Sequence, residues 1–332
     1  MRDPHPHDAL LRLMADGQFH SGQALAASLA VGRSAVWKQV RRLQELYNLR
    51  IDAVRGRGYR LRDPIHLLLP ERIFGGLSPA IRRSIESFDV VLSTPSTNSL
   101  IAGRPPRASN RAHIVFAEHQ SAARGRRGRR WVGGLGDNIS CSIAWRFELA
   151  MSELSSLSLA IGVAVAEALE SAGLSGHQLK WPNDVIHDGK KLAGILVEVS
   201  GEATGPATAI IGVGINVRVP THVGTDIDQP WIDVSTVTGG GAVSRDDLAV
   251  ALVEALVAAC KEFADCGLAG FAPRWQRYDA LKGRTISVRT STRSVEGTYV
   301  GISASGALLM ENESGRSEHL AGEVSVRRVT QQ

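Results

Sequence analysis

The sequence predicts an α+β chain in three parts: a small helical module with a strand hairpin, a central mixed sheet, and a C-terminal run of short strands. Three observations carry that prediction. Residues 1–64 alternate apolar helical stripes with Gly turns, and hold eleven Lys or Arg against six acids, which is the whole formal charge of +5. Residues 65–280 are near neutral and alternate buried-strand patterns with apolar helices. Residues 281–332 show the two-residue alternation and Gly turns of a small β-barrel of the SH3 type. A length of 332 residues suits two or three domains, and 43% hydrophobic with 21% charged residues excludes a disordered chain, a collagen or a disulfide scaffold.

The longest uninterrupted apolar stretch, Leu159 to Ala166, is far short of the roughly 20 residues a spanning helix needs, so no membrane segment is expected. The polar opening Met1–Asp8 has no signal-peptide pattern. Cys141, Cys260 and Cys266 form no CxxC pair, which fits a reducing cytoplasm better than zinc or a disulfide framework.

In the first module, residues 8–19 read as a short helix stopped by Gly17. Ser21 caps a second helix over 23–29, and a turn at Val31-Gly32 leads to a third over 33–47. Val36, Val40, Leu43 and Tyr47 form one stripe of that third helix, while Ser34, Lys38, Arg41 and Arg42 take the opposite face with Trp37 on its flank. Helix, tight turn, and a helix with one apolar and one cationic face is the helix-turn-helix pattern. Residues 51–61 then read as a wing, two strands around Arg-Gly-Arg-Gly, setting Arg55 and Arg57 against phosphates. The candidate DNA contacts are Arg33, Ser34, Trp37, Lys38, Arg41, Arg42, Arg55 and Arg57; the alternative is a three-helix adaptor with a solvated basic face.

Beyond a linker marked by Pro64 and Pro70, residues 71–87 read as helix and 88–92 as the first strand of the sheet. That strand runs into Ser93–Asn98, a polar turn capping a helix. The strand 113–118 empties into Gln120–Trp131, where five of the seven residues from Arg124 to Arg130 are Arg and the other two Gly. Guanidinium forks suit carboxylate and phosphate, and glycines let a ligand approach the backbone. An RNA-binding tract or a solvated loop would share that composition. Position favours a ligand loop: the tract leaves one buried strand and returns through Trp131 to another at 138–147. Unliganded, self-repulsion should disorder it. A core helix follows over 155–172, then a strand 179–186 broken by Pro182, a turn, a strand 191–198, and a strand 207–217 carrying Gly212 and Gly214. Residues 245–263 and 271–278 read as helices, and 284–289, 295–300, 307–311 and 324–329 as short strands. No P-loop and no complete dinucleotide fingerprint is present.

In order along the chain, the helix-turn-helix and wing, Ser96-Thr97-Asn98, the Arg-Gly tract ending in Trp131, Lys180-Trp181-Pro182-Asn183-Asp184, Lys191-Leu-Ala-Gly-Ile195 and Gly212-Val-Gly-Ile-Asn216 closely resemble the bifunctional biotin–protein ligase, or biotin operon repressor, family. The resemblance spans nearly the whole chain. It implies a central catalytic domain of the biotin/lipoate ligase type that activates biotin with ATP to biotinyl-5′-AMP and transfers it to a lysine of a biotin carboxyl carrier protein. It implies Lys180 between the biotin carboxylate and the α-phosphate, with Arg124 and Arg126 clamping the same oxygens. Ser96, Thr97, Asn98, Gln120, Gly125, Gly194, Gly212 and Gly214 would line the biotin site; Trp131, Asn216 and Trp231 are the adenylate candidates. Asp184 would hold Lys180 or, through water, Mg²⁺; a turn-stabilising carboxylate is the plainer alternative. Biotinyl-5′-AMP as corepressor, a homodimer formed on adenylate or DNA binding, and operator DNA complete the implied partners. A ligand sensor without catalysis, a lipoate or octanoate transferase, and a ligase with a vestigial helix-turn-helix are the competing readings. Two departures from the family pattern stand out: Ala123 where Gly usually opens the tract, and Gly32 where Ser is commoner.

Overall fold

The structure, a computed structural model, describes residues 6–202, 204–241, 243–289, 294–320 and 325–328. In the N-terminal module α1 (Pro6–Met14), α2 (Gly22–Ser28) and α3 (Arg33–Tyr47) pack around Leu10, Leu11, Met14, Leu25, Val36, Val40 and Leu43. Each boundary has a local cause. Gly17 turns at φ 68°, the Ser21 hydroxyl accepts from the Ala24 N–H at 3.0 Å, and α3 ends on Asn48 in the left-handed region. Gly32 is the cap of α3 without a side-chain hydrogen bond. The wing is β1 (Ile51–Val54) paired antiparallel with β2 (Gly58–Leu61). Gly58, at φ 102°, is required there: a Cβ would lie 2.0 Å from the His20 carbonyl oxygen, because Tyr59 and His20 exchange backbone hydrogen bonds.

The helix expected over 71–87 is two short ones, α4 (Pro70–Gly76) and α5 (Pro79–Arg82). Pro79 cannot continue α4 and instead starts the next turn behind the Ser78 cap. The sheet therefore starts earlier than expected, with β3 (Ile85–Thr94), followed by α6 (Thr97–Ala102), β4 (Ala112–Gln120) and β5 (Asn138–Phe147). After α7 (Leu157–Ser171) come β6 (His177–Lys180), β7 (Asp184–His187), β8 (Lys190–Gly201) and β9 (Ala207–Asn216). The single broken strand expected at 179–186 is thus a hairpin of two strands, with Lys180 opposite Asp184 and a cis Trp181–Pro182 bond in its turn. The sheet order is β3-β4-β5-β9-β8-β7-β6, with β3 and β4 parallel and every other pair antiparallel.

Short α8 (Thr221–Gly224) and α9 (Val234–Val237) lead to α10 (Arg245–Cys266) and α11 (Ala272–Tyr278). α7 and α10 pack on the sheet, where Leu157, Ile161, Val165 and Leu169 are wholly buried. By length and composition, the continuous stretch Met151–Ser171 is apolar enough to span a bilayer, yet its helix is the centre of this core. The C-terminal domain is a five-stranded antiparallel sheet of β10 (Thr285–Arg289), β11 (Ser294–Ile302), β12 (Leu308–Asn312), β13 (Gly315–His319) and β14 (Ser325–Arg328), in the order β13-β12-β11-β10-β14. β13 escapes the sequence reading because Gly-Arg-Ser-Glu-His has no apolar alternation. Of the strand expected at 324–329, Val324 and Val329 lie outside the described residues.

Candidate active site

A cavity of about 520 Å³ opens where the ends of β3 and β4, the Arg-Gly loop, the β6–β7 hairpin and the glycines of β8 and β9 come together. Its first wall is a polar chain. Ser96 caps α6, and the Thr97 N–H and hydroxyl both donate to Gln120 Oε1, at 2.8 and 3.1 Å. The Ser142 hydroxyl, with one proton to share, lies 2.7 Å from Thr97 Oγ1 and 2.6 Å from Asn98 Oδ1. Asn98 Nδ2 donates to Glu198 at 2.6 Å, and the other Glu198 oxygen lies 3.6 Å from Arg124. Ser96, Thr97 and Asn98 are buried, so these donors and acceptors are fixed before any ligand arrives.

The glycines make room for the site's own side chains. A Cβ on Gly212 would meet Asn98 Oδ1 at 2.3 Å; on Gly214, Trp131 at 2.6 Å; on Gly194, Lys191 at 3.0 Å and Trp131 at 3.1 Å. Trp131 therefore sits close against the glycines of β8 and β9 as part of the cavity lining. Gly125 differs: a Cβ there would meet the Arg129 carbonyl oxygen only at an ordinary 3.6 Å.

The loop has a definite closure. The Gly125 N–H donates to the Arg129 carbonyl at 2.7 Å, the Trp131 N–H to Ala123 at 3.1 Å, and a single 3-10 turn spans Arg126–Gly128. Positive φ falls at Arg127 (58°) and Gly128 (71°), not at Ala123, so the departure from glycine at 123 carries no backbone strain. Arg124, Arg127, Arg129 and Arg130 are exposed. Arg126 is turned inward, donating to Asn183 Oδ1 at 3.3 Å; burial holds its guanidinium below the usual arginine range, Asp184 opposing this and Arg127 and Arg129 adding to it. Such a poorly solvated cation gains from a bound anion.

Lys180 lines the cavity from the end of β6. Its cross-strand neighbour Asp184 is ion-paired at 2.7 Å with Lys191, whose ammonium also stands 5.6 Å from the Trp131 ring centre. Lys191 was not among the expected site residues. The hairpin pairs Lys191 with Ile186, two residues on from Asp184, whose own ladder partner is Gly194. Two of the expected residues lie outside the lining. Asn216 is buried with its amide donating to the carbonyls of Lys191 (3.3 Å) and Ile232 (3.1 Å), and the Trp231 indole donates to Gly224 at 3.2 Å. Both shape the strand edge around Lys191. Among the described residues, no group of three or more His, Cys, Asp or Glu is placed to hold a metal ion.

On the N-terminal module, Arg33, Ser34, Trp37, Lys38, Arg41, Arg42, Arg55 and Arg57 are all exposed. Trp37 is 50% exposed, with the Arg41 guanidinium 5.5 Å from its ring centre. Arg57 is folded back over Phe19 at 4.0 Å.

The sequence reading missed the device that ties this module to the sheet. Glu118 of β4 and Arg245 of α10, both buried, form an ion pair at 2.9 Å. Arg245 also donates to the carbonyls of His66 and Asn138, while the linker N–H groups of Leu68 and Leu69 donate to Glu118 and Asp246. Nearby, burial pushes the Asp137 carboxyl up to about 7, against the pull of the Gly134 N–H, Arg245 and Arg218.

Residues 90–216 match the Biotin/lipoate A/B protein ligase family, 7–60 an HTH domain, and 282–327 the Biotin protein ligase C terminal domain. The chain is 34% identical over 318 residues to the Bifunctional ligase/repressor BirA of Escherichia coli, covering 96% of each. It is 33% identical over 235 residues to the Biotin–[acetyl-CoA-carboxylase] ligase of Paracoccus denitrificans, covering 70% of this chain and 97% of that one. Among solved structures, the biotin protein ligase of Aquifex aeolicus in complex with biotin and ATP superposes with a TM-score of 0.62 at 26% identity, over 74% of this chain and all of that one.

Proposed function

The chain belongs to the bifunctional biotin ligase/repressor family, and on that premise we propose how its residues divide the work. It is an ATP-dependent biotin–protein ligase carrying a helix-turn-helix domain. Biotin's carboxylate is a poor electrophile, and an ordinary lysine is about one part in a thousand neutral at pH 7. Activation must therefore precede amide formation. The carboxylate attacks the α-phosphate of ATP, pyrophosphate leaves, and the amine of a carrier-domain lysine displaces AMP from the mixed anhydride. Both steps build negative charge on oxygen, so fixed cations supply most of the catalysis.

The observation that carries this reading is the convergence of Lys180, Arg124 and Arg126 on one cavity whose other wall is the Gln120–Thr97–Ser142–Asn98 chain. The polar chain suits the ureido group of biotin. Its carboxylate then lies toward Lys180, and the adenylate phosphate between Lys180 and the two arginines. Trp131 is the apolar surface between the two halves of the adenylate. Asn216 and Trp231 act on it only through the strand edge at Lys191. The carboxylate of Asp184 is neutralised by Lys191 and the described residues build no metal cage, so Mg²⁺ belongs on the phosphates of ATP, largely hydrated.

The acceptor is a biotin carboxyl carrier domain, the working compartment is the cytoplasm, and operator DNA meets the exposed cationic face of α3. Adenylate-driven homodimerisation would set two such faces on the half-sites of an operator. The test is incorporation of labelled biotin into a purified carrier domain with ATP and Mg²⁺. Transfer is expected; biotin binding with no transfer would overturn the reading in favour of a sensor without catalysis. An unchanged sedimentation coefficient at adenylate concentrations that saturate the protein would remove the dimer from the proposal.

A further inference from the structure

Trp181 has no role in the chemistry above, yet it follows Lys180 directly. Its indole is 1% exposed, and Nε1 donates at 3.0 Å to the carbonyl of Gly306, which is 125 residues further on in the β11–β12 turn of the C-terminal domain. That turn is itself held. The Ser303 N–H donates to the Ala307 carbonyl at 2.8 Å, the Gly306 N–H to Ser303 at 2.9 Å, and the Ala307 N–H to the Ser303 hydroxyl at 3.2 Å. Gly306 sits at φ 82°, and a Cβ there would lie 2.7 Å from Ser156 Cβ and 3.0 Å from Leu159 Cδ1 at the start of α7. Only glycine lets the turn come close enough to α7 for its carbonyl to reach the indole.

On the other side of Lys180, the Leu179 carbonyl accepts from the Ala280 N–H at 2.9 Å, where the chain enters the C-terminal domain. Both neighbours of Lys180 are thus fastened to that domain or its entry. Beyond the turn, the Ser158 hydroxyl donates to the Pro182 carbonyl at 3.4 Å, and Asn183 exchanges hydrogen bonds with the backbone of Ile195 at 2.7 and 3.0 Å.

We propose that the C-terminal domain is a brace for the Lys180 hairpin, and that Gly306 and Trp181 are positioning residues for the formation of the adenylate. This rests on the ligase reading with Lys180 as the cation between carboxylate and α-phosphate. In-line attack depends on the spacing of reacting groups, and a displacement of about 1 Å costs on the order of a hundredfold in rate. Biotin is held mainly by the polar wall on β4, β5 and α6, which the brace does not touch. The brace therefore acts on the chemical step rather than on biotin binding.

Trp181→Phe keeps most of the ring bulk and deletes the N–H; Gly306→Ala pushes the turn off α7. The full-length proteins are compared for biotin-dependent pyrophosphate release from ATP, biotin affinity by calorimetry, and amide exchange of residues 179–187. For Trp181→Phe, kcat of adenylate formation falls about tenfold or more, the biotin Kd stays within about twofold, and exchange in the hairpin accelerates. Gly306→Ala shifts the same quantities in the same direction, and the double variant is no worse than the poorer single one. Should Gly306→Ala not fold, Trp181→Phe carries the test. Wild-type kcat in Trp181→Phe, or kcat and biotin affinity falling together as in a generally loosened protein, overturns the brace. Wild-type protein that forms no adenylate removes the ligase reading, and the brace with it.

Discussion

The Lys180 hairpin and the Arg124–Arg130 loop bring cations to the same cavity, but the backbone beneath them differs. The hairpin has ladder partners on β8, a buried indole hydrogen bond and a tie to the entry of the C-terminal domain. The loop closes on itself through two backbone hydrogen bonds and one 3-10 turn, and four of its five arginines are exposed. One cation is pre-positioned at no cost when substrate arrives. The others are carried on a loop held by fewer backbone bonds, with most of its guanidinium groups in solvent. On the proposed reading, the site separates alignment by Lys180 from enclosure by the arginines.

The largest effect expected from that division is at the fixed cation. Lys180→Ala lowers the rate of biotin transfer by about a thousandfold with biotin still bound, and Lys180→Arg recovers little of it, because a braced position does not adapt to a longer, planar head. Arg126→Lys, on the adaptable segment, costs only about tenfold. Single-turnover adenylate formation measures all three, and an equal loss in Lys180→Arg and Arg126→Lys would erase the distinction.

The loop leaves a strand that is itself anchored by the buried Glu118–Arg245 ion pair. Glu118→Gln leaves Arg245 buried without its counter-charge, and destabilises by about 3 kcal/mol or more in denaturant titrations. A loss below about 1 kcal/mol would mean that the anchor is dispensable. Trypsin offers a milder probe, since Arg124–Arg130 supplies its targets. Biotin and ATP together should slow cleavage in this loop about tenfold while leaving other sites unaffected. Protection of the Lys180 side by the same ligands would show that the hairpin is not preformed.

The smallest effect is electrostatic. The Asp137 carboxyl at the far end of the loop is raised from near 4 to about 7, so the folded protein binds its proton more tightly than the unfolded chain. Stability contributed by that proton is present below about pH 4 and lost as pH rises toward 7. Asp137→Asn should flatten this slope in melting curves between pH 4 and 7, and an unchanged slope would assign the trend to another group.

Much of the site was legible because the residues that carry it are unusual in type or order. Ser96-Thr97-Asn98, the Arg-Gly tract and Lys180–Asp184 are short strings, and the structure sets them around one cavity. What escaped was long-range. Nothing local marks Glu118 and Arg245 as partners, since 127 residues separate them. Lys191 looked like the polar start of a strand; only the fold shows its ammonium reaching Asp184, which is not its ladder partner. Asn216 and Trp231 lie outside the cavity lining for the converse reason: their side chains bond to backbone next to it. Helix limits were legible wherever a cap was present, as at Ser21, and failed at 71–87, where Pro79 could be read as a continuing first turn or as a break.

The core of the N-terminal module does not stop at the module. Leu67, Leu92 and Leu135 belong to its apolar cluster, and the Tyr47 ring at the end of α3 meets His119 edge-on at 5.2 Å. Leu92 and His119 lie on the two strands that run directly into Ser96–Asn98 and Gln120. The junction near residue 64 is therefore a seam rather than a hinge. Cutting there would leave an apolar scar on each piece, and the scar on the larger piece would lie within a few residues of the cavity. A chain with this join cannot trade its N-terminal helix-turn-helix module for another without also disturbing the strands that line its cavity.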